Sequence, residues 1–181
     1  MIISAGRNEI FDFALPMGVG LMDMSINLTK FLCENRQSLP SEIIFVGSAG
    51  LYKEGKILKI YESRSAVNCE ISALYELSYS PISYEIIARN SADVSYETIT
   101  NSSNFITTDK KFALKFFERG YFLENMEFFA VLKVAQKFEI PAYGIFCATN
   151  FCDSNAHTDF LKNHAAAKEN LTKYLKTKAL I

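Results

Sequence analysis

The chain has no tryptophan, only two histidines, four cysteines and four prolines in 181 residues, and no excess of either charge. Each shortage excludes something. Nineteen basic and twenty acidic residues give a formal net charge of −1, so neither nucleic acid nor an acidic membrane surface is an expected partner. Cys33, Cys69, Cys147 and Cys152 form no CxxC pair and match no zinc spacing; reduced thiols in a cytoplasmic protein, with no metal, are the expectation. No apolar run approaches the length of a membrane span. Met1-Ile2-Ile3 carries no basic leader, which argues against a signal peptide. Repeats, low-complexity tracts and linker-like stretches are also lacking. Phenyl rings are plentiful: fifteen Phe and nine Tyr must fill core volume that has no indole. With 49% hydrophobic residues, the composition suits one globular domain over residues 1–181.

The N-terminal half alternates short apolar runs with glycine turns. Met1 to Ala5 predicts a strand ending at Gly6, and Arg7, Asn8 and Glu9 follow as either a solvated turn or a functional loop. Phe13 to Leu15 is a second apolar segment, broken by Pro16. Gly18 and Gly20 then open a helix with Met22, Ile26, Leu28 and Phe31 as its apolar positions, stopping before Pro40. A helix start of this kind can receive an anion, although glycine there also serves backbone freedom alone. Glu42 to Val46 predicts a strand, followed by Gly47-Ser48-Ala49-Gly50, which is either a ligand-approaching loop or a tight turn. The turn Lys53-Glu54-Gly55-Lys56 leads into a strand at Ile57 to Tyr61. No period is clear over residues 62–82. Tyr84 to Ala88 and Tyr96 to Ile99 predict strands. Asn101 to Asn104 is a polar loop before Phe105, and Thr108 is the expected N-cap of a helix running to Gly120.

Residues 123–153 organise the rest. Met126, Phe129, Ala130, Leu132, Val134 and Phe138 fit a helix face, with Lys133, Gln136 and Lys137 outside it. Pro141 starts a new element, and Ala142 to Ala148 is a continuous apolar run suited to a parallel strand covered on both faces. Thr149, Asn150 and Asp153 lie past its C-terminal end, where α/β sheets place their ligand sites, and Glu127 can face the same crevice. A last helix is expected over Thr158 to Lys176, with His157 exposed in the loop before it. The alternation gives an α/β domain.

Two blocks carry a resemblance. Ile43 to Gly50, a strand running into GSAG, and Asn125-Met126-Glu127 with its helix, Phe138, Pro141, strand, Thr149-Asn150 and Asp153 resemble the purine nucleoside phosphorylase and methylthioadenosine/S-adenosylhomocysteine nucleosidase superfamily. The resemblance covers most of residues 14–175. It implies a mixed, partly closed β-sheet flanked by helices, and cleavage of a purine–ribose N-glycosidic bond without a cofactor. Partners would be a purine nucleoside and phosphate, in a homo-oligomer serving nucleoside metabolism and purine salvage.

Residue by residue, it implies that Met126 lies against the ribose and that Glu127 accepts hydrogen bonds from its 2′- and 3′-hydroxyls. Phe105 would stack on the base. Ala49 and Gly50 would bring backbone beside it, with Ser48 facing the ribose or the attacking group. Asn150 matches the position that donates to the leaving purine. An amide there can hydrogen-bond N7 or a 6-oxo group but supplies no proton, which leans toward 6-oxopurines. In the phosphorylase version, the leading expectation, Arg7 and Ser48 would bind phosphate. Arg64 and Arg89 are further cations for that task. In the hydrolytic version Glu9 would orient water. A shortened N-terminal half, with Asn125 in place of a carboxylate, also admits a member that binds a nucleoside or base without turnover.

Overall fold

The computed structural model describes residues 1–87 and 97–181. Among these, eight strands form one sheet: β1 (Ile2–Ser4), β2 (Leu15–Pro16), β3 (Ile43–Leu51), β4 (Ile60–Val67), β5 (Glu85–Ile87), β6 (Glu97–Ser102), β7 (Leu123–Asn125) and β8 (Ala142–Phe151). Five helices accompany them: α1 (Gly20–Glu34), α2 (Ile71–Leu74), α3 (Lys110–Glu118), α4 (Phe128–Lys137) and α5 (Ala156–Thr177). The strand order is β2-β1-β3-β7-β6-β4-β5, and β8 pairs with both β3 and β4. The strands β3, β7, β6, β4 and β8 therefore close a ring, while β1 with β2 and β5 extend from it. This is the mixed, partly closed sheet expected above. β8 runs parallel to β3 and antiparallel to β4.

Apolar chemistry explains the layers. β3 and β8 are buried on both faces, as continuous apolar runs require. On one face α4 packs Phe128, Val131 and Leu132 into a core with Phe45 and Phe146, whose ring centroids lie 5.7 Å apart. α1 packs beside α4 and buries Met24, Leu28 and Leu32 completely. Each such side chain contributes about 1.5–3 kcal/mol by leaving water. On the other face, α5 covers Ile44, Val46 and Ile145 with Ala167, Leu171 and Leu175. No helix of the described residues is long and apolar enough to cross a membrane.

Several boundaries differ from the sequence expectations. The buried stripe of α1 is Gly20, Met24, Leu28 and Leu32, a four-residue spacing; Met22 and Ile26 fall on the opposite side and are 67% and 58% exposed. GSAG is not a turn: β3 continues through it, with an irregularity between Ala49 and Gly50. β4 starts later than expected and continues to Val67. Asn101 and Ser102 belong to β6 rather than to a loop. The Asn101 amide is satisfied inside the sheet, donating to Tyr52 Oη at 2.9 Å and to the Cys69 carbonyl at 3.0 Å. Asp109, not Thr108, caps α3: its carboxylate accepts the Lys111 N–H at 2.7 Å. Ala88 and Tyr96, the outer ends of two expected strands, lie outside the described residues.

Candidate active site

A cavity of about 350 Å³ opens at the C-terminal ends of β1, β3 and β8, closed by the β7–α4 junction and the start of α5. Its chemistry is dominated by carboxylates. Glu9, Glu124 and Glu127 all line it, while Arg7 and His157 are its only basic side chains among the described residues.

The strand β1 ends in a tight turn in which the Glu9 N–H returns to the Gly6 carbonyl at 2.9 Å. That turn sends the Glu9 side chain to the end of β3. There Glu9 Oε1 accepts the Ser48 backbone N–H at 2.6 Å and the Ser48 hydroxyl in a short bond. Burial pushes the Glu9 carboxyl above its ordinary range, and the two Ser48 bonds oppose that push.

Glu127 stands immediately before α4. Its Oε1 accepts the Gly20 N–H at 2.8 Å, an amide at the start of α1 that has no partner within its own helix. Gly20 has φ +84, and a Cβ there would lie 2.8 Å from Asn104 Oδ1, so only glycine presents this amide. Burial, then the negative charge of Glu9, raises the Glu127 carboxyl to about 7. Near neutral pH the Glu127 carboxyl is therefore partly protonated.

Asn125 serves structure. Its Oδ1 accepts the Glu127 and Phe128 N–H groups, both at 2.9 Å, and its Nδ2 donates to the Ser48 carbonyl at 3.1 Å. It caps α4 and ties the helix start to β3. Asn150, at the end of β8, is oriented on both sides. Its Oδ1 accepts the Thr149 hydroxyl at 2.9 Å, and its Nδ2 donates to the Phe151 carbonyl at 3.0 Å. The amide has two N–H groups, so one donor is left for a ligand. Gly50 pairs with both Asn150 and Glu124. A Cβ on it would lie 2.9 Å from Cys152 Sγ and 3.1 Å from Asn150 Nδ2, so the bare backbone is what makes room here.

The cavity thus brings together Arg7, Glu9, Ser48, Ala49, Gly50, Met126, Glu127 and Asn150, all singled out in the sequence. Phe105 is not with them. It is 73% exposed and outside the lining, because its loop is pinned at Ser103 Oγ before it and at Glu124 after it; Ile106 lines the cavity instead. Ser48 gives both its N–H and its O–H to Glu9. Arg64 lies on β4 away from the lining, and Arg89 is outside the described residues. Asp153 accepts the Asn155 N–H at 2.8 Å and pairs with Lys110 at 3.4 Å, rather than joining the cavity. His157 is exposed, as expected, yet borders the opening. Glu124 was missed: its strand has three residues, too short for alternation to reveal which way it faces. Among the described residues, no three His, Cys, Asp or Glu side chains gather as metal ligands.

No family model matches this sequence, and no curated protein matches it. Solved structures do. A futalosine hydrolase mutant of Helicobacter pylori strain 26695 superposes with a TM-score of 0.79 at 17% identity, covering 97% of this chain and 95% of that one. A mutant of the Helicobacter pylori 5′-methylthioadenosine/S-adenosylhomocysteine nucleosidase, with 5′-methylthioadenosine in its active site, gives 0.78 at 17% identity over the same shares. The Streptococcus pneumoniae enzyme of that name, with the transition-state inhibitor MT-ImmA, gives 0.73 at 13% identity, over 96% of this chain and 95% of that one. The chain has the nucleoside phosphorylase-like fold.

Proposed function

We propose that the protein is a purine nucleosidase, cleaving the N-glycosidic bond with water. The observation that carries this reading is the commitment of both Ser48 donors to Glu9. A phosphate dianion would have to displace that carboxylate and then sit near two others, with Arg7 as the one arginine among the described residues of the lining. A neutral water faces no such opposition. The names of the neighbouring structures, hydrolase and nucleosidase, support the same choice over phosphorolysis.

In this reading Glu127 accepts hydrogen bonds from the vicinal ribose hydroxyls, and Met126 packs against the sugar. The C1′–N9 bond breaks with its electron pair passing to the purine. Asn150 donates to the base as negative charge builds there. Water adds to C1′ as Glu9 takes its proton, and burial favours that role by raising the basicity of Glu9. The released purine takes a proton from solvent, giving free base and free ribose. We also propose that the protein self-associates: Met22, Ile26 and Phe105 are large apolar side chains left at least half exposed, and sedimentation would read their burial.

The test is product formation from inosine, guanosine, adenosine and 5′-methylthioadenosine, with and without phosphate. Free base and free sugar in the absence of phosphate are expected. Base that appears only with phosphate, alongside ribose 1-phosphate, would refute the reading in favour of phosphorolysis. No base from any substrate, with base binding retained, would leave the binding-only alternative.

A further inference from the structure

The helix that covers the sheet carries a polar residue where its pattern calls for an apolar one. Ala167, Leu171 and Leu175 of α5 lie in the core against β3 and β8 at a four-residue spacing. Asn163 is the next position of that stripe toward the N-terminus. It is half-buried, and the proposed reaction gives it no part. It does have a partner: its Nδ2 donates to the Thr149 carbonyl at 2.8 Å. An amide set into the sheet-facing side of a helix is costly unless it is hydrogen-bonded there, so this bond explains why asparagine is tolerated. It does not explain why the Thr149 carbonyl takes a donor from outside the sheet.

The register of β8 supplies that reason. Ala49 of β3 pairs with Ala148, and the next residue, Gly50, pairs with Asn150. Thr149 is therefore the extra residue of a bulge, with no partner on β3. On its other edge β8 pairs with β4 only as far as Cys147, and the bonds of Ala148 to Leu58 and Lys59 continue that edge one residue further. Thr149 thus lies beyond the regular ladder on both sides. It is 1% exposed, so its carbonyl needs a donor from the protein. That carbonyl belongs to the planar peptide unit whose other end is the Asn150 N–H, so a rotation of the unit swings the Asn150 side chain. The Thr149 hydroxyl meanwhile donates to Asn150 Oδ1 at 2.9 Å, which sets the way the amide faces. Asn163 holds the backbone, and Thr149 the side chain, of the residue that carries the donor for the base.

We propose that Asn163 is a positioning residue: by clamping the Thr149–Asn150 peptide of the bulge to α5, it fixes the angle from which the Asn150 amide donates to the leaving purine. This rests on the nucleosidase reading for the role of Asn150, and deepens it. The experiment is a double-mutant cycle of the wild type, N163A, N150A and N163A/N150A. Cleavage of the nucleoside that the wild type prefers gives kcat and KM, and calorimetric titration of free adenine and hypoxanthine gives base affinity. N163A should lower kcat about 10–100-fold while KM changes by no more than about threefold, since a small misplacement of a reacting contact is felt mainly in the transition state. In the N150A background it should change kcat by less than about threefold, because nothing is left for it to aim. A loss of the same size in both backgrounds, a loss confined to KM, or a kcat for N163A within about threefold of the wild type overturns the proposal. N163S, whose hydroxyl falls short of the carbonyl, replaces N163A in the cycle if the alanine variant does not fold. Titration does not depend on turnover. A loss of base affinity in N163A that vanishes in the N150A background, with no cleavage by any of the four proteins, would sink the nucleosidase reading and keep this inference. Cleavage with additive losses would do the reverse, and neither cleavage nor base binding by the wild type would overturn both.

Discussion

Replacing Glu127 by Gln should make the protein more stable at pH 8 while crippling its site. The carboxyl sits at about 7 in the folded chain against an ordinary 4.5, chiefly through burial and then through Glu9. The folded state therefore holds this proton more tightly than the unfolded state does. That contribution is complete below 4.5 and is lost as pH rises through 7. The loss amounts to about 3 kcal/mol, or about 6–12 °C in melting temperature for a chain of this size. Glutamine keeps an oxygen for the Gly20 N–H but has no proton to lose. Urea or thermal unfolding of both proteins from pH 4.5 to 8 gives the difference curve. Glu124 titrates in both and cancels, leaving Glu127 and its coupling to Glu9. E127Q should gain on the wild type progressively across this window. Nucleoside kcat/KM should fall about 10–100-fold at pH 8, where a charged acceptor for ribose hydroxyls is replaced by a neutral amide. Parallel stability curves would refute the assignment of the raised carboxyl to Glu127.

The other expectations concern neighbouring groups. Glu9→Gln removes the proposed base and should lower kcat about 10²–10⁴-fold with little change in substrate binding; a kcat within threefold of wild type would exclude Glu9 as the base. Asn150→Asp supplies an acid at the leaving group, so the ratio of adenosine to inosine cleavage should rise in steady-state assays, most clearly toward acid pH. Gly50→Ala pushes a methyl against Cys152 Sγ and Asn150 Nδ2, and should cost about 1–3 kcal/mol in denaturant unfolding as well as activity. Phe105→Ala, at a side chain 73% exposed, should leave monomer stability within about 0.5 kcal/mol when measured by the same unfolding.

How far the sequence could be read depended on whether position followed from local punctuation. Glu9, Asn150 and Glu127 were legible as neighbours of element ends that converge in an α/β sheet: Gly6 marks the end of β1 before Glu9, the apolar run of β8 gives way to Thr149 and Asn150, and Glu127 precedes the helical period of α4. The α4–β8 unit was legible for the same reason, with Pro141 separating a helical period from a continuous apolar run. Where tertiary partners decide, local reading failed. Asn101 looks like a loop residue until Tyr52 and the Cys69 backbone satisfy its amide inside the sheet. Met22 and Ile26 look like core until the four-residue stripe of Met24, Leu28 and Leu32 takes the buried side of α1. Glu124 is polar in a strand of three residues, and only the pairing with β3 and β6 turns it toward the cavity. Phe105 failed because exposure in a loop is set by what pins the loop, here Ser103 and Glu124.

The double pairing of β8 has a consequence for biosynthesis. Ala142 pairs with Ile43, and Cys147 with Ile60, so the strand that seals the ring reaches back across most of the chain. A nascent polypeptide that has emerged only as far as Ile140 has β3 and β4 with their β8-facing edges unpaired, and β3 is richly apolar. Such edges recruit strands from other chains. Closing the ring also waits on long-range contacts, which slow folding. The interval between the emergence of β4 and that of β8 is thus the period in which this protein is most exposed to aggregation and most in need of a chaperone.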